Sequence, residues 1–292
     1  MRAVAAYARF LRKPRSYASS RSAERFLHRP KGSGEPPVRL PNLRRHQITS
    51  RTFSSGFKSY LVSPPFGEER LPGSIIYVHG GGYVSEIHLE HWSLIAEITD
   101  ATKRAVHVPI YGLAPKHSAI EAVRFIQEVI EMAEPPFYLL GDSAGAGLAL
   151  ASTQVWLARG GTPPCGLTLI SPWLDIGLSD PAAVEVAASD PWLGIEGARH
   201  VGRNWARGLA LNDPQVSPIF GRLDNLPNME IYVGDRDLFM PDCRRLYELV
   251  GRERCVYHEE PGAIHVYPLL PVPEGRRSRS QLISSIAGVM SE

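Results

Sequence analysis

From residue 57 to residue 290 the apolar positions fall into two alternating kinds of run. Short, nearly continuous ones, SYLVS, SIIYVHG, AVHVPIY, FYLLGDS, GLTLISPW, MEIYVG and CVYHEE, predict strands. Between them lie longer stretches with helical spacing: LIAEITDATK, AIEAVRFIQEVIEM, a run from the small residues after 143 to about Arg159, CRRLYELV, and residues 274–290. Strand–helix alternation of this kind specifies βαβ units, hence an α/β protein with a mostly parallel sheet and helices on both faces. Two segments break the rhythm. Residues 1–60 form one, an N-terminal accessory segment in which SAERFLHRPKG has helical spacing and a Pro-Gly stop. The other is an insertion at about 178–226, rich in Trp, Pro and Ala and set between two strands. Insertions after strand ends in such sheets usually roof the active site. The expected organisation is therefore a helical cap segment over residues 1–60 and a core over 61–292 that carries a cap insertion.

The 292-residue length suits one large α/β domain or a core with a small lid. No apolar run approaches the roughly 18 residues of a membrane-spanning helix. Cys165, Cys243 and Cys255 are odd in number and lack C-x-x-C spacing, which indicates neither a disulfide framework nor a zinc site and fits a reducing, cytoplasmic setting. The net charge of +2 hides an asymmetry. Residues 1–60 hold 14 Lys and Arg against only Glu24 and Glu35, leaving 18 basic and 28 acidic residues for the remainder. Three uses fit that basic arm: a peripheral membrane contact, a contact with the acidic remainder, or an organellar transit peptide. It carries no helix-turn-helix or RNA-binding motif, so nucleic acid is not an expected partner.

The chemistry concentrates at LGDSAGAG, residues 140–147. Small residues on both sides of Ser143 suit a sharp strand-to-helix turn that leaves the hydroxyl on a corner, although an ordinary glycine-rich βα turn has the same composition. The distinction lies in whether the remaining parts exist. An acid is available where MEIYVG runs out into Asp235 and Asp237, and a histidine where CVYHEE runs out into His265. Loops at the carboxyl ends of parallel strands converge on one sheet edge, where His265 would take the Ser143 proton and the acid would hold the imidazole tautomer. YVHGGGY places Gly81 and Gly82 after an earlier strand, and with Ala144 their main-chain N–H groups would form an oxyanion hole, with Gly80 and His79 in support.

These motifs together resemble the hormone-sensitive-lipase-like branch of the α/β-hydrolases, bacterial family IV esterases included. HGGGY precedes GDSAG by about 60 residues, and YGLAPKH, SPWLD and GDRDLFMPD resemble further family segments over roughly residues 70–292. Gly112 and Lys116 stand where the family usually has Arg and Glu. The resemblance implies an α/β-hydrolase fold with a mostly parallel eight-stranded sheet and a small helical cap. It also implies a Ser143–Asp237–His265 triad, Asp237 being favoured over Asp235 by its match to G-x-x-D, and hydrolysis of small to medium acyl esters, lactones or N-acetyl groups without a cofactor. A ligand-binding protein on the same fold is the alternative, set against the retained histidine. Tyr83, Trp192 and Phe220 are the expected pocket residues. His88 and His91 lack the spacing and third ligand of a metal site and read as surface polar residues at a helix start.

Overall fold

The computed structural model describes residues 17–291; residues 1–16, the beginning of the basic arm, lie outside the described residues. In chain order the elements are α1 (Ser20–His28), β1 (His46–Thr52), β2 (Lys58–Pro65), β3 (Ser74–Val78), α2 (Leu89–Thr102), β4 (Ala105–Ile110), α3 (Ala119–Met132), β5 (Phe137–Asp142), α4 (Ala144–Ala158), β6 (Gly166–Ile170), α5 (Ala182–Ala187), α6 (Ile195–Ala206), β7 (Met229–Gly234), α7 (Met240–Val250), β8 (Cys255–Glu260) and α8 (Pro273–Val289). The strands form one eight-stranded sheet in the order β1-β2-β4-β3-β5-β6-β7-β8. Pairing is antiparallel at β1–β2 and β2–β4 and parallel from β4 onward.

The strands β3, β5 and β6 are buried at every residue, which is why they read as unbroken apolar runs rather than as alternation. On one face α2 and α8 bury Trp92, Ile95, Ile98, Leu282 and Ile286 against Ile75, Tyr77 and Leu140. On the other, α3, α4 and α7 bury Phe125, Ile126, Leu148 and Leu246 against Ile76, Leu139 and Ile231. Ser118 and Glu121 close a reciprocal capping box at the start of α3, satisfying two otherwise orphaned N–H groups.

The division expected at residue 60 runs through β2, because β1 and β2 belong to the sheet. Of the 29 described residues before β1, nine form a helix, α1 (Ser20–His28).

 What hid β1 from the sequence pattern is its place at the sheet edge, where burial falls away along HQITSRT and no apolar run is needed.

Candidate active site

Sheet register brings the chemistry-bearing loops together. Val78 of β3 pairs with Gly141 of β5, so the glycine loop after β3 lies beside the turn after β5. Gly234 of β7 pairs with Glu260 of β8, which sets the loops carrying Asp237 and His265 side by side.

Ser143 sits at φ 54°, ψ −122°, a backbone conformation that costs a non-glycine residue energy and is held by its surroundings. Its N–H donates to Ile170 O at 2.8 Å, and its carbonyl accepts from Trp173 N at 3.0 Å. A side chain on Gly145 would overlap the carbonyls of Val78 and His79, so the start of α4 can approach β3 only with glycine there.

The Ser143 hydroxyl donates to His265 Nε2 at 2.8 Å, and His265 Nδ1 donates to both Asp237 oxygens at 3.0 Å. All three residues are buried. Burial alone would pull the His265 imidazole down, but the Asp237 charge and hydrogen bond, with Asp190 and Asp142 behind them, more than offset it and hold it above its ordinary value. Asp235 faces elsewhere: its Oδ1 accepts from Gly262 N at 2.7 Å and shapes the loop that leads to His265.

Gly81 and Gly82 have φ of 108° and 60°, and among the described residues the N–H groups of Gly81, Gly82 and Ala144 make no hydrogen bond. Gly80 N donates instead to Asp142 at 2.9 Å. His79 Nδ1 donates to Gly80 O at 2.7 Å and its ring stacks on Tyr111, whose hydroxyl donates to His79 O at 2.7 Å. Burial and the neighbouring His91 push the His79 imidazole down to about 4, so it stays neutral and braces the loop.

Two parts of the site escaped the sequence reading. Asp142 is buried and accepts from Tyr77, Gly80 N and His91, the last at 3.2 Å. Burial raises its carboxyl, yet His91, Tyr77 and Gly80 together leave it below its ordinary value. His91 is thus a buried partner of Asp142 and not a surface residue, since the first turn of α2 faces the sheet. Asp190, in the insertion, accepts from Trp192 N, Leu193 N and, at 2.8 Å, from Leu238 N beside Asp237. Burial and the Asp237 charge push its carboxyl up to about 6. Asp142 lies inside the GDSAG motif and Asp190 inside the insertion, but only the folded chain gives them partners.

A cavity of about 390 Å³ opens onto Ser143 and His265. Its apolar wall includes Phe26, Trp173, Trp192, Leu193 and Phe239. Of the three expected pocket residues, Trp192 lines it. Tyr83 does not: it is buried between Trp173 and Trp205, stacked on the latter at 4.2 Å. Phe220 does not either, because its segment is drawn to the far half of α4 by Gln154, which donates to Pro218 O at 2.8 Å, and its ring lies under Arg245.

The chain matches the family described as the alpha/beta hydrolase fold over residues 75–269. An acetyl-hydrolase of Streptomyces hygroscopicus is 33% identical over 218 residues, 70% of this chain and 72% of that protein. A triacylglycerol lipase of Mycobacterium tuberculosis is 29% identical over 212 residues, 70% of this chain but 43% of the lipase, so the chain spans less than half of that relative. A solved hormone-sensitive lipase from a metagenome library superimposes with a TM-score of 0.73 at 22% identity, covering 92% of this chain and 89% of that one, and shares the fold.

Proposed function

Because this chain belongs to the α/β-hydrolase fold family, we propose that it is a serine carboxylic-ester hydrolase working through an acyl-enzyme, of the hormone-sensitive-lipase-like kind. The observation that carries this reading is the unbroken relay from the Ser143 hydroxyl through His265 to Asp237, on a strained turn that faces a cavity.

Ser143 Oγ attacks the acyl carbonyl as His265 Nε2 takes its proton, and Asp237 stabilises the imidazolium that results. The oxygen that becomes negative is received by the free N–H groups of Gly81, Gly82 and Ala144. Collapse of the tetrahedral intermediate expels the alcohol, which takes the proton back from His265. Water then repeats the sequence on the acyl-enzyme and releases the acid. The cavity lies near the lower end of the usual range for small-molecule sites, roughly 300–1,000 Å³, which supports short to medium acyl groups. Lactones follow the same steps, and an N-acetyl amide needs only firmer protonation of its leaving group. A non-catalytic binding role is not favoured, since such a role has no use for the relay.

The test is hydrolysis of p-nitrophenyl acetate, butyrate, octanoate and palmitate by the wild type and Ser143→Ala. Activity that the substitution abolishes supports the reading, and the chain-length profile sizes the acyl site. A folded wild type no faster than the variant on every ester overturns it.

We further propose that residues 17–45 and the insertion at 178–226 act as the cap over this site, and that the basic arm makes a peripheral contact with anionic membranes, in a cytoplasmic setting. No helix among the described residues is long and apolar enough to cross a membrane. The arm itself contributes Phe26 and Arg29 to the cavity wall, which would place entry to the site next to the lipid surface. Salt-sensitive cosedimentation with phosphatidylserine vesicles is the expected result, and equal binding to neutral vesicles overturns that contact.

A further inference from the structure

Tyr17 is the first described residue, and its position is closely determined. Its carbonyl accepts from Gly197 N at 3.0 Å. Side chains on Gly194 or Gly197 would run into the Tyr17 backbone, so the bare start of α6 forms the seat on which it rests. Ser20 N and Oγ both donate to Glu196 Oε1, at 3.1 and 2.8 Å, and fasten the next turn to the same helix. From that seat the Tyr17 ring, stacked on Phe26, lines the cavity, and its hydroxyl lies against Gly82 on the face where a side chain would otherwise stand.

A phenol in an apolar wall ordinarily finds a hydrogen-bond partner. The Tyr17 hydroxyl lies against Gly82, whose N–H makes no hydrogen bond among the described residues. We propose that the Tyr17 hydroxyl is a fourth oxyanion donor, delivered to the catalytic centre by the N-terminal segment. This rests on the ester-hydrolase reading above. The phenol donates its O–H to the oxygen of the tetrahedral intermediate and keeps its proton throughout; no bond to Tyr17 forms or breaks. Burial, only partly countered by Arg29, pushes its pKa up to about 12, so it remains a donor across the working pH range.

The experiment compares the wild type, Ser143→Ala, Tyr17→Phe, Gly197→Ala and the Tyr17→Phe/Gly197→Ala double variant, with melting curves to show that each is folded. Tyr17→Phe keeps the ring and its stacking and removes only the donor. Loss of one oxyanion donor costs on the order of 10²-fold in turnover, and kcat is expected to fall by about that factor with KM unchanged. The inhibition constant of a trifluoromethyl ketone, whose adduct with Ser143 carries the same oxyanion, is expected to rise in parallel. Gly197→Ala should reproduce the loss by unseating Tyr17, and the double variant should lose no more than the larger single one. Unchanged kcat and ketone inhibition in Tyr17→Phe, beside a wild type that Ser143→Ala silences, overturns the fourth donor and leaves the hydrolase reading intact. A change in KM alone also overturns it, since Tyr17 is then only a wall. A wild type without ester turnover overturns the reading and this inference together. If Gly197→Ala does not fold, the Tyr17→Phe result decides.

Discussion

The sheet edge and the wall that faces it are built differently. At the edge, Ser143, Asp142, His79, Asp237 and His265 are buried, and their partners are main-chain groups or other buried side chains whose positions follow from strand register. The wall, α1 against α6, buries Ala23 and Leu27, but the polar contacts between its two helices are exposed: His200 with Glu24 and Ser20 with Glu196. Buried, satisfied polar networks are costly to break, whereas exposed ion pairs contribute little. On the proposed reading, the edge holds the reacting atoms still and the wall bounds the acyl site.

Substitutions at the edge should therefore cost far more than those at the wall. Ser143→Ala is expected to lower kcat by about 10⁶-fold with the fold intact, read by ester turnover and circular dichroism. Asp237→Asn should cost about 10⁴-fold, because the amide favours the wrong His265 tautomer; Asp235→Asn should retain most of the activity, and equal losses would contradict the assignment of the acid. Gly145→Ala forces the start of α4 away from Val78 and His79, and an overpacking cost of about 1–3 kcal/mol is expected in a denaturant melt.

The pH profile sharpens the same contrast. His265 must be neutral to accept a proton, and its value is raised, so kcat/KM should fall as pH drops through a midpoint above the ordinary imidazole value of about 6.5. Stability has the opposite sign. The protonated His265–Asp237 pair stabilises the fold fully below the unfolded imidazole value and stops doing so as pH rises through the folded one. Asp190→Asn removes one of the charges that raises His265 and should move the activity midpoint downward. The smallest effect is expected from Glu24→Gln on the wall, with no measurable change in melting temperature or turnover. A large loss there would mean that the wall is as tightly held as the edge.

How much was legible in the sequence depended on the range of the interaction that decides each feature. Strand and helix order, the turn at Ser143 and the glycine loop after β3 are local matters of periodicity and backbone freedom, and they could be read from short stretches. The antiparallel edge strand β1 could not, because an exposed strand needs no apolar pattern. The choice of Asp237 over Asp235 rested on the resemblance to G-x-x-D and not on local physics: the two stand two residues apart in the same turn, and the folded chain aims one at His265 and the other at Gly262.

The same division holds for the pocket. That this chain makes a mostly parallel sheet with a serine, an acid and a histidine after β5, β7 and β8 was determined by its sequence, since each of those features is set by neighbours a few residues away. Which aromatic side chains face the cavity was decided only by the tertiary structure. Tyr83, Trp192 and Phe220 have similar local settings, but packing turned Tyr83 into the Trp173–Trp205 stack and drew Phe220 toward α4, leaving Trp192 at the wall. The seat for Tyr17 on α6 joins residues 180 positions apart and has no local signature at all. Long-range packing selects among locally equivalent side chains, and nothing in a short window of sequence encodes that selection.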